Sequence, residues 1–100
     1  MTSWQKSTPP RHIHNIHYNR ACSRARLAER EGNASRRNGW AVKALADLES
    51  AFPPEAKPYD PETADCFKRD IMNGGDLALL ASNEPWKSQI ADIYARLSQE

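Results

Sequence analysis

The sequence predicts an all-α protein, a small irregular helical bundle of four main helices plus one short helix. Apolar residues recur at spacings of three and four in several segments, as on one face of a helix. Asp, Asn, Pro and Gly fall where such segments should start and stop. No stretch alternates apolar and polar residues over a useful strand length, and no internal repeat is found.

The elements follow in chain order. Residues 1–12 are polar, contain Pro9-Pro10, and are read as an N-terminal arm; residues 13–100 form a single helical domain. The first helix is expected from about Ile13–Asn15 to Glu31, with Gly32-Asn33 reversing the chain and Gly32 suited to a left-handed cap. Residues 33–38 are a loop or an early helical turn, with Asn38 as the N-cap of the second helix. That helix carries Trp40, Ala41, Ala44, Leu45, Leu48 and Phe52 on one face, and Pro53-Pro54 stops it. The proline-rich connector PPEAKPYDP crosses to a third helix. There Asp60 caps, Pro61 takes the first helical position, and Ala64, Phe67 and Ile71 face inward. Asn73-Gly74-Gly75 ends it. A short turn capped by Asp76 follows, then a last helix with Pro85 near its start and a stripe of Trp86, Ile90, Ile93, Tyr94 and Leu97. The expected core is Trp40, Leu45, Leu48, Phe52, Phe67, Ile71, Leu77, Leu80, Ile90, Ile93, Tyr94 and Leu97.

Bulk properties narrow the function classes. A chain of 100 residues supports one domain, too small for a large internal substrate cavity. The mean hydropathy is −0.82, and no apolar run approaches the ~20 residues that span a bilayer. The segment MTSWQKSTPPRH has no apolar core of a secretory signal, so the cytoplasm is the expected location and no membrane partner is expected. Cys22 and Cys66 are read as buried or partly buried thiols rather than a disulfide framework.

The formal net charge of +1 conceals an asymmetry. Residues 1–43 hold nine basic side chains against two acidic ones, and residues 44–100 hold five against eleven. Such a split gives either a binding face for a polyanion or two halves that attract each other.

The segment RHIHNIHYNRACSRARLAERE, residues 11–31, concentrates histidine and arginine around one cysteine. A metal-ligand set is not assigned to it. On a helix His14 and His17 share a face, but His12 lies about 200° from His14 and Cys22 well away from both. No cofactor is expected. Tyr18, Ala21, Cys22, Ala25 and Ala28 share an arc of small and apolar residues suited to close helix packing. Ile13, Ile16 and Leu27 stand among the arginines, a pattern of interfaces as well as of arginines paired with acids of the second half. The candidate partner- or nucleic-acid-binding residues are therefore Arg20, Arg24, Arg26, Leu27, Arg30, Arg36 and Arg37.

No catalytic residues are assigned: the chain has no Gly-rich phosphate loop, no metalloprotease helix, and no Cys/His pair that the sequence itself brings together. The second helix offers only Lys43 as a basic contact and is too apolar to read a DNA groove. The chain is thus expected to be a non-enzymatic small binding protein that occupies the surface of a protein or ribonucleoprotein partner. One such setting is a phage- or mobile-element-encoded inhibitor of a host nucleic-acid machine, in the manner of an anti-CRISPR protein. The alternative is direct RNA or DNA binding by the basic segment 11–37, salt-sensitive and non-specific.

Overall fold

The computed structural model describes residues 11–56 and 59–98. It is an all-helical arrangement with no strand among these residues. The arm assigned to residues 1–12 lies outside them up to residue 10, and Arg11 and His12 are already helical. Helix α1 spans Arg11–Arg30, α2 Ala34–Ala51, α3 Pro61–Asp70, α4 Ala78–Ser82 and α5 Trp86–Ser98, with a 3₁₀ turn at Pro54–Ala56.

Helices α1 and α2 make an antiparallel hairpin joined by Glu31–Asn33. The expected cap at Asn38 is incorrect: Asn33 caps α2, its side chain accepting from the Arg36 N–H at 3.0 Å. Asn33 stands directly before a run of helix-compatible residues, so the helix starts one turn and more before Asn38. The left-handed glycine is Gly74, at φ 87°, and not Gly32. The end of α1 is held instead by Arg37, whose guanidinium donates to the Glu31 carbonyl at 2.9 and 3.2 Å.

The seam between α1 and α2 is made of small side chains. Ala21, Ala25, Ala28, Ala41 and Ala44 are all fully buried, which lets the two backbones approach closely. Pro53 cannot continue the α2 ladder, so the chain turns after Phe52. Asp60 starts α3 as expected, accepting from the N–H and hydroxyl of Thr63, both at 3.0 Å. At the end of α3 the turn folds back tightly: a Cβ at Gly75 would collide with the Asp70 carbonyl, and the Leu77 N–H donates to that same carbonyl at 2.9 Å. Asp76 does not cap α4; Leu77 takes that position without a side-chain bond, because Asp76 is turned to Arg26.

The core gathers where the base of the hairpin meets α3, α4 and α5. Phe52 lies at its centre, with ring centroids 5.5 Å from Tyr59, 5.5 Å from Phe67 and 6.1 Å from Tyr18, each edge to face. Leu48, Leu77, Leu80 and Ile93 are fully buried around it. Three expected core positions differ. Tyr94 is 42% exposed, because Trp86, Ile90, Ile93 and Leu97 define the inward stripe of α5 and Tyr94 lies at its edge. Trp40 is half-buried, being far up the hairpin from that core, and Ile71 is partly buried at its margin. The described chain is elongated, 50 × 27 × 20 Å, since two helices of 20 and 18 residues set its length.

Candidate functional site

The seven residues singled out from the sequence divide into two groups. Four are held by the protein itself. Arg20 grips Asp47 with Nε and an η-nitrogen at 2.8–3.1 Å, and Arg24 reaches the same carboxylate at 2.9 Å. Asp47 is 3% exposed and comes from the last third of α2. A carboxylate in that position needs cations and hydrogen bonds around it, and two arginines from the facing helix supply both. The carboxylate holds the Arg20 guanidinium above its ordinary pKa. Arg26 lies between Glu29 at 2.7 Å, Asp76 at 2.7 Å and the Gly74 carbonyl at 3.2 Å, and these two acids, Glu29 first, raise its pKa. Arg37 is spent on the Glu31 carbonyl.

The other group is Leu27, Arg30 and Arg36. All three are exposed, Leu27 by 41%, and among the described residues neither Arg30 nor Arg36 has a polar partner for its side chain. The hairpin register brings all three to its tip half. Asp47 stands opposite Arg20 and Arg24, so in antiparallel helices Lys43 falls opposite Arg24, Trp40 opposite Leu27, and Arg36 near the end of α1. Arg36, Trp40, Lys43 and Asp47 share one arc of α2 at 100° per residue. The Lys43 ammonium sits 5.1 Å from the Trp40 ring centroid, a cation–π contact. The tip half of the hairpin thus carries the exposed Leu27 and Arg30 on α1, and Arg36, Lys43 and the half-buried Trp40 on one arc of α2.

Trp40 and Lys43 share the arc of Arg36, although the sequence reading assigned Trp40 to the core and left Lys43 out of the candidate site. Their signal was the spacing 36–40–43, visible on a helical wheel once α2 is begun at Ala34 rather than after Asn38.

A groove of about 550 Å³ runs along α1, past Leu27, Arg30 and Arg26 to Cys22 and Asp76. At its floor the thiol of Cys22, which is 9% exposed, donates to Asp70 at 3.8 Å, and the Tyr18 hydroxyl donates to the same carboxylate. Burial first, and Asp70 beside it, raise the Tyr18 pKa far above its ordinary value. Burial likewise pushes the Cys22 thiol up to about 12, with Asp70 and Asp76 adding to the shift. Cys22 is therefore brought to two aspartates. Cys66, the other free thiol, is half-buried and accepts from Arg69 at 3.2 Å. No helix among the described residues is long and apolar enough to cross a membrane. No family model, no curated protein and no solved structure matches this chain.

Proposed function

We propose that this chain is a non-enzymatic binding protein that occupies an acidic surface of a protein or ribonucleoprotein through the tip half of its α1–α2 hairpin. One observation carries this assignment. Arg20, Arg24 and Arg26 are paired with internal carboxylates and Arg37 is held by a backbone carbonyl, whereas Arg30 and Arg36 stand exposed at the tip half that also carries Leu27 and Trp40. Arginine flanking an apolar centre is what a protein interface uses: planar, charge-assisted contacts to carboxylates around a desolvated anchor. Lys43 already covers one face of Trp40, which leaves the indole less suited to stacking on a base. A chain of this kind acts by occupancy, as an inhibitor of a nucleic-acid machine would.

The test is co-purification from the native host, before and after nuclease, with Arg30→Glu/Arg36→Glu beside the wild type and Lys68→Glu/Lys87→Glu as control. A nuclease-resistant partner is expected with the wild type and the control, and is lost with the Arg30/Arg36 pair. Retention by the Arg30/Arg36 variant would overturn the assignment. A partner lost on nuclease treatment, together with a salt-sensitive gel shift of generic RNA or duplex DNA, would replace it by direct nucleic-acid binding.

A further inference from the structure

We propose that Cys22, Asp70 and Asp76 form a site for a thiophilic divalent cation of the zinc class. The Cys22 sulfur and one carboxylate oxygen from each aspartate all lie within 4.8 Å of one another. They come from three separate segments: the middle of α1, the last residue of α3 and the turn before α4. Zinc bound by sulfur and oxygen holds those atoms roughly 3.5 Å apart, so small side-chain rotations close the set. One thiolate and two carboxylates suit zinc or cadmium better than calcium or magnesium, which take oxygen ligands alone.

Charge points the same way. The Asp70 side chain is only 16% exposed, yet its nearest guanidinium, from the largely exposed Arg69, is 3.9 Å away. Its close donors are the neutral hydroxyl of Tyr18 and the thiol of Cys22. A largely buried carboxylate whose ion pair is this long and this exposed is only weakly compensated, and a divalent ion beside it supplies further charge. Arg26 does not supply the missing charge, because it is shared between Asp76 and Glu29.

The surroundings also hold the ligands in place. Tyr18 fixes Asp70 and Arg26 fixes Asp76, the outer hydrogen bonds that orient metal-binding carboxylates. The close approach of Gly75 pins the turn that carries Asp76 onto the end of α3. Cys22 and Asp76 line the groove of about 550 Å³, which gives an ion a path in and leaves room for water as a fourth ligand. On binding, the S–H bond of Cys22 breaks, a sulfur–metal bond forms, and the proton passes to solvent.

The experiment is a titration of the reduced full chain with cadmium, followed by the ultraviolet thiolate-to-metal charge-transfer band, which histidine coordination does not produce. Equilibrium dialysis gives the stoichiometry, and melting curves monitor the fold of each variant. The wild type should give a saturable band at one equivalent. Cys66→Ser keeps it, Cys22→Ser abolishes it, and Asp70→Asn or Asp76→Asn weakens binding by about tenfold or more. Asp76 lies on a half-exposed turn, so Asp76→Asn decides the matter if Cys22→Ser does not fold. No saturable band, a band that disappears with Cys66 rather than Cys22, or unchanged affinity in both aspartate variants would overturn the site.

Discussion

Replacing Phe52 by alanine tests whether the ring cluster at the base of the hairpin organises the fold. Phe52 is 1% exposed and touches Tyr18 of α1, Tyr59 of the connector and Phe67 of α3 with its ring edges or face. Truncating a buried phenylalanine costs about 3–5 kcal/mol through lost transfer energy and the cavity left behind. Three edge-to-face pairs at roughly 0.5–1.5 kcal/mol each place Phe52 toward the upper end. The backbone bonds at this position survive, because the Phe52 carbonyl still accepts from Arg96 at 2.8 Å. A domain of this size is stable by about 5–15 kcal/mol, so the substitution removes a large share. At about 4–8 °C per kcal/mol, the melting temperature should fall by at least ~12 °C. Circular dichroism melts and urea titrations at constant m measure the change. Phe52→Leu restores most of the volume without the ring edges and should recover more than half of the loss. A fall below ~5 °C for Phe52→Ala would refute the central role of this ring.

Two further outcomes follow from the charges. Arg20→Glu/Arg24→Glu should lower the melting temperature strongly, since it leaves buried Asp47 facing two new carboxylates, whereas Arg30→Glu/Arg36→Glu should leave it nearly unchanged; equal melting of the two variants would show that the Asp47 cluster does not hold the hairpin. Cys22, held near 12 against an ordinary 9.0, and Tyr18, also held above its ordinary value, keep protons that the unfolded chain loses first. Their contribution is therefore complete below about pH 9 and declines as the pH rises toward 12; urea midpoints should drop over that window and drop less in Tyr18→Phe, while a flat wild-type profile would contradict the burial of both groups.

Local rules written into the sequence determined much of this fold. Asp60-Pro61 started α3 because a capping carboxylate and a proline at the first position act within four residues. The alanine arc of α1 and the stripe of Leu45, Leu48 and Phe52 were legible because helical periodicity alone decides which residues share a face. The charge split allows either a polyanion-binding face or attraction between the two halves, and tertiary structure shows which arginines pair internally. Arg20 and Arg24 meet Asp47 only because α1 and α2 are antiparallel in one register, and Arg26 meets Asp76 only because the glycine turn folds back onto α3. Tyr94 and Trp40 depended on the angular position of α5 and the reach of the core up the hairpin. The grouping of Cys22 with Asp70 and Asp76 joins residues 48 and 54 positions apart. Periodicity fixes directions around one helix axis, whereas which helices face one another, and at what register, is set by packing between segments distant in sequence.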